Sequence, residues 1–176
     1  MKAIILFTML YLLNFSSSNA QETDFNTVNI ITGNKPNCIS INTKLDTKLD
    51  NFLKIDATGS SDIVIKIINN NTEECIRCVF ISGGDTYYIK NIPEGVYFVK
   101  IAYGYDWAEN GKGNFCSAKF LTDAHYEVGN DLLDFHLKQS SDGYQVPSFE
   151  LILRTIKNNR NNEFDSENIS EEEFFK

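Results

Sequence analysis

The sequence predicts an all-β protein, an antiparallel β-sandwich of about seven or eight strands, and three observations carry that prediction. Short apolar runs recur from residue 51 onward, each closed by turn-forming residues. No long stretch shows the 3.6-residue period of an amphipathic helix. The segment Tyr87 to Tyr103 reads as strand, corner, strand: Pro93 presets one backbone angle, and Gly95 can take the positive φ that other residues avoid. Beyond that corner Tyr97, Val99, Ile101 and Tyr103 share one face, while Val96, Phe98, Lys100 and Ala102 share the other, the alternation of a half-buried strand.

In chain order, residues 1–20 carry Lys2, an apolar stretch from Ala3 to Leu13, and the small-residue run Ser16 to Ala20. That is the layout of a secretory signal peptide cut after Ala20. The apolar stretch is about half the roughly 20 residues that a bilayer crossing needs. Residues 21–50 are expected to form a polar, ill-packed lead-in pinned by Cys38, with a loop at Gly33 to Pro36 and a near-duplicate, Lys44-Leu45-Asp46-Thr47 followed by Lys48-Leu49-Asp50-Asn51, too short for a repeat architecture. The sandwich domain is expected over residues 51–156. Its strands are drawn from Phe52 to Ile55, Ile63 to Ile68, Ile76 to Ile81, Tyr87 to Ile92, Val96 to Tyr103, Ala118 to Leu121, Leu133 to Leu137 and Phe149 to Ile156. The core should include Ile65, Ile67, Ile89, Tyr97, Val99 and Ile101. Asp123 to Leu133 is the one place where a short helix fits. Residues 157–176, rich in Asn and Glu and ending Glu-Phe-Phe-Lys, read as a disordered acidic tail.

Composition narrows the function. The net charge of −8 becomes one unit more negative once Lys2 leaves with the leader, and such a surface repels phosphate backbones, which argues against nucleic acid as a partner. No second long apolar segment follows residue 20, so membrane insertion is not expected. The four cysteines, Cys38, Cys75, Cys78 and Cys116, all lie in the exported part and imply two disulfides, for which three pairings exist. Cys75 and Cys78 match a redox Cys-x-x-C, but they open an extended run rather than a helix. Strict alternation would set them on opposite faces, too far apart to bond to each other. The pairing expected is Cys75 with Cys116, clamping the loop between them, and Cys38 with Cys78, tying down the lead-in. Scattered ligands and only two histidines give no metal site and no cofactor.

Tyr103, Tyr105 and Trp107 cluster where a strand gives way to the Gly-rich stretch from Asp106 to Asn114. Aromatic residues on a loop at a sandwich edge can stack on a sugar or a partner side chain, so Tyr105, Asp106, Trp107 and Asn110 are the expected binding residues. The bland alternative makes Trp107 a core anchor. Asp123, His125, Glu127, Asp134 and His136 form two carboxylate–histidine neighbourhoods, without a nucleophile elbow or a His-Glu-x-x-His motif, so no catalytic residue is assigned. Asn70-Asn71-Thr72 and Asn168-Ile169-Ser170 match glycosylation acceptors.

The segment Ile-Lys-Asn-Ile-Pro-Glu-Gly-Val-Tyr-Phe-Val-Lys, Ile89 to Lys100, resembles the strand-corner-strand of prealbumin-like domains, including carboxypeptidase regulatory-like modules. It is also similar to small secreted bacterial proteins that continue the strand into Tyr-Gly-x-Asp-Trp, here Tyr103 to Trp107. The resemblance implies a prealbumin-like sandwich and no activity. The Tyr-Arg-Gly-Ser tail of prealbumin-like hydrolases is missing here. The expectation is therefore a secreted, disulfide-stabilised β-sandwich that binds a protein, peptide or polysaccharide, or serves as an accessory module, without catalysis. The alternatives are a secreted hydrolase with a His/carboxylate site, a carbohydrate-binding module, or a redox protein using Cys75 and Cys78.

Overall fold

The computed structural model describes residues 24–59, 61–112, 115–153, 155–156, 159–160 and 165–176, so the signal-peptide reading of residues 1–20 lies outside the described residues. Fourteen strands and one short helix follow in order: β1 Asn26–Thr27, β2 Phe52–Asp56, β3 Asp62–Asn69, β4 Cys75–Ile81, β5 Thr86–Lys90, β6 Val96–Lys112 and β7 Phe115–Gly129. Then come β8 Leu133–Asp134, β9 Lys138–Ser140, β10 Gly143–Gln145, β11 Phe149–Ile152, β12 Thr155–Ile156, β13 Asn159–Arg160, β14 Ser166–Asn168 and α1 Glu171–Phe175. The fold is all-β. Seven strands form one antiparallel sheet in the order β14-β7-β6-β3-β4, with β1 and β8 also paired to β6. A three-stranded sheet, β11-β2-β5, faces it, and β11 runs parallel to β2.

Alternation builds the layer between these sheets. On β3 Ile63, Ile65 and Ile67 point inward, joined by Val99 and Ile101 from β6 and by Leu53, Ile55, Ile89 and Leu151 from the smaller sheet. All six residues expected in the core are there. The corner after β5 carries the chain from the smaller sheet to the larger, with the Tyr97 hydroxyl donating to the Pro93 carbonyl at 3.1 Å. Gly95 takes the positive φ expected of it, at 156°, and Asn91 just before the corner is left-handed at φ 57°.

The outer face of the large sheet is also dry. Val64, Cys78, Phe80, Ala102, Trp107, Phe120 and Tyr126 form a second cluster, covered by Ile39 from the lead-in and Phe174 from α1. Two expectations are corrected here. The lead-in is packed: Ile39 and Leu49 are buried, and backbone bonds such as Phe80 N to the Asn34 carbonyl at 2.8 Å run it along the edge of β4. The tail is ordered over residues 165–176, with β14 paired to β7 and Phe174 0 % exposed. The sequence signal is a capping box: the Ser170 side chain accepts from the Glu173 amide at 3.1 Å, and Glu171, Glu172 and Glu173 fill the first turn.

The segment from Asp123 to Gly129 is strand rather than helix, and β6 continues to Lys112 in pairing with β7, so residues 106–112 of the stretch expected to be a loop are strand. Valine and tyrosine side chains paired across β6 outweigh the short helical pattern there.

Candidate functional site

The four expected binding residues do not form an exposed aromatic patch. Trp107 is 2 % exposed, packs edge-on against Phe120 at 4.9 Å, and donates from Nε1 to Glu109 Oε1 at 3.2 Å. Asn110 is buried, Tyr105 is half-buried, and only Asp106 stands in solvent, accepting from the Thr122 hydroxyl at 2.9 Å. The cause is local. The ladder slips between Tyr103 and Tyr105, and Asp106 takes a left-handed conformation at φ 57°, so Trp107 turns to the outer cluster while Tyr103 stays in the inner one. Gly104 permits this, because a Cβ there would lie 2.5 Å from that of Phe120. Glu109 also accepts from the Asn37 amide at 2.8 Å and pins the lead-in beside Trp107. A groove of about 350 Å³ remains next to Trp107, edged by Asp62, Asp106, Ser82 and Asn29.

The two histidines are apart. Tyr103 faces His125 and Val96 faces Asp134 on β6, a separation of seven residues, or roughly 20 Å along the strand. His136 is exposed; its amide donates to Asp134 Oδ1 at 3.1 Å and its Nδ1 lies 2.7 Å from the same oxygen, and these two contacts hold the Asp134 carboxyl below its usual range. His125 stacks on Tyr103 and reaches Glu127 Oε1 at 2.8 Å. The buried Glu127 also accepts from the Tyr103 and Ser166 hydroxyls, each at 3.2 Å. Ser166 thus donates to the carboxylate, an arrangement that fixes β14 to β7.

A second groove lies elsewhere, where the edges of the two sheets, β4 and β5, are bridged by the lead-in. A groove of about 360 Å³ is lined there by Leu45, Arg77, Tyr87, Tyr88 and Lys90. Leu45 is 59 % exposed and Tyr88 43 %, whereas most large apolar side chains of the described residues are buried. Alternation on β5 explains the pair: Ile89 points to the core, so Tyr88 and Lys90 face out, and Tyr88 is steadied by an edge contact with Phe52 at 5.3 Å. Tyr87 lies against Gly33, where a Cβ would meet its ring at 2.6 Å and where φ is 97°, so only glycine fits. The Arg77 guanidinium is spent on the carbonyls of Lys44 and Ile76, and burial lowers its pKa. Lys90 remains exposed at the rim. The sequence signal was the Tyr87-Tyr88 pair opposite the Lys-Leu-Asp-Thr segment.

The disulfide pairing is corrected. Cys38 bonds Cys116, across a sequence separation of 78, while Cys75 and Cys78 are free thiols. Cys38 lies on the lead-in beside the β6–β7 hairpin, because Glu109 holds the neighbouring Asn37, and this brings it to Cys116 rather than to β4. No helix of the described residues is long and apolar enough to cross a membrane.

Fold and grooves together define an all-β protein with an antiparallel seven-stranded sheet, one structural disulfide and an open aromatic groove. Comparison with protein-family models, curated proteins and solved structures finds no match.

Proposed function

We propose that the chain is a secreted, disulfide-stabilised β-sandwich recognition module that binds an extended peptide or polysaccharide without catalysis. One observation carries this reading: Leu45 and Tyr88 stand exposed on either side of a groove between the sheet edges. Aromatic rings give large contact area at small entropic cost, and Lys90 at the rim adds a cation that suits an acidic or hydroxyl-rich ligand. The Cys38–Cys116 bond supports an oxidising compartment, as does the leader-like segment at residues 1–20. The prealbumin-like kinship belongs to the same proposal, supported by the corner that carries β5 into β6 between sheets.

The test uses the chain from Gln21 onward, immobilised and exposed to secreted proteins and polysaccharides of its native source, followed by titration of the ligand recovered. Tyr88→Ala should weaken binding by about 2 kcal/mol, roughly thirtyfold, with an unchanged strand spectrum. Full affinity in both Tyr88→Ala and Leu45→Ala would remove the groove from consideration.

A further inference from the structure

Between Ile67 and Ile68 the ladder of β3 and β4 slips: Cys78 faces Lys66, and Cys75 faces Ile68. Three steps along β4 therefore cover two steps along β3, which is the geometry of a β-bulge. The extra residue reverses the parity. Cys75 and Cys78, which strict alternation would set on opposite faces, both reach the outer cluster. The residues they face, Lys66 and Ile68, are same-face neighbours on β3, about 7 Å apart in regular strand geometry, and the two cysteines are set at about that spacing. That is at the limit of a disulfide but comfortable for two sulfur atoms sharing one ion.

Opposite Cys78 lies a buried cation. Lys66 is 5 % exposed, its Nζ donates to the Phe174 carbonyl at 2.7 Å, and it sits 4.8 Å from the Phe174 ring centre. Among the described residues no carboxylate pairs with it. The ammonium meets a carbonyl at the C-terminal end of α1 and two phenyl rings, none with a full negative charge.

We infer that Cys75 and Cys78 form a binding site for a soft monovalent cation, copper(I), held by both sulfurs, with Lys66 as counter-charge. Soft thiolates select copper(I), which accepts two ligands in a line. Binding displaces both thiol protons, so two thiolates and one copper(I) carry a net charge of about −1, which the Lys66 ammonium neutralises. Zinc asks for four ligands, and the described residues hold no group of three or more His, Cys, Asp or Glu side chains suited to a metal. Half-buried Cys75 is the way in, while α1 lies over the cluster with Phe174 and Phe175.

The experiment titrates the full chain, its Cys38–Cys116 bond intact, with copper(I) delivered anaerobically in acetonitrile against a competing copper(I) chelator. The expected result is one ion per chain, two sulfur neighbours by X-ray absorption, and affinity that rises with pH as the displaced protons require. Cys75→Ser and Cys78→Ala should each lose at least about a hundredfold in affinity. Circular dichroism checks that they fold, and Cys75→Ser, at the half-buried position, tests the site even if Cys78→Ala does not. Unchanged affinity in folded Cys75→Ser, or recovery of a Cys75–Cys78 disulfide from thiol-quenched native protein, overturns the site.

Discussion

At the scale of single residues, Cys78 ties stability to pH. Its thiol is pushed from 9.0 up to about 12 by burial, so above pH 9 the unfolded chain gives up a proton that the folded chain retains. The stabilisation is complete below pH 9 and is lost as pH climbs toward 12. Urea denaturation at several alkaline pH values should show that decline, and Cys78→Ala should flatten it. Tyr126 contributes in the same direction, since burial and Glu171 raise its hydroxyl as well. Such environments were only partly legible in the sequence. The alternation that placed Val99 and Ile101 in the core holds on β3 and on the first half of β6. It fails at Asp106 and at Ile67/Ile68, where a left-handed residue or a bulge shifts the parity of every side chain beyond it. The slip on β6 leaves a trace in Gly104, a glycine inside a strand, whereas Cys75 to Ile81 looks like unbroken strand and hides the other.

At the scale of elements, α1 matters more than its five residues suggest. Lys100 Nζ donates to the Glu173 carbonyl at 2.6 Å and Lys66 to that of Phe174, so two cations meet the C-terminal end of a helix whose first turn is acidic. Phe174→Ala should cost about 3 kcal/mol by emptying the outer cluster, measurable as a lowered denaturation midpoint with an unchanged slope. Phe175→Ala, at a half-buried position, should cost less. The capping box was readable at Ser170, but its partner surface was not. A five-residue helix has no stability of its own, and nothing near it in sequence says that β3 and β6 offer an apolar face. The same limit hid the open groove, whose walls come from residues 33–45 and 87–91, far apart along the chain.

At the scale of the molecule, the Cys38–Cys116 bond fastens the lead-in to the β6–β7 hairpin and closes a loop of 78 residues. Chain-entropy arguments give such a closure about 4 to 5 kcal/mol. Reduction, or the paired change Cys38→Ser and Cys116→Ser, should therefore lower stability by several kcal/mol, and non-reducing peptide mapping should recover this bond alone. The inner layer stands between the two sheets, while the outer layer is assembled on the back of the larger sheet from segments remote in sequence. The chain has one tryptophan, and it lies in that outer layer. Its fluorescence is consequently a built-in gauge of whether the flanking segments are seated, blind to the sandwich interior. Under mild denaturant, emission from Trp107 should shift before the far-ultraviolet strand signal falls, and superimposable curves would mean that both layers melt as one cooperative unit.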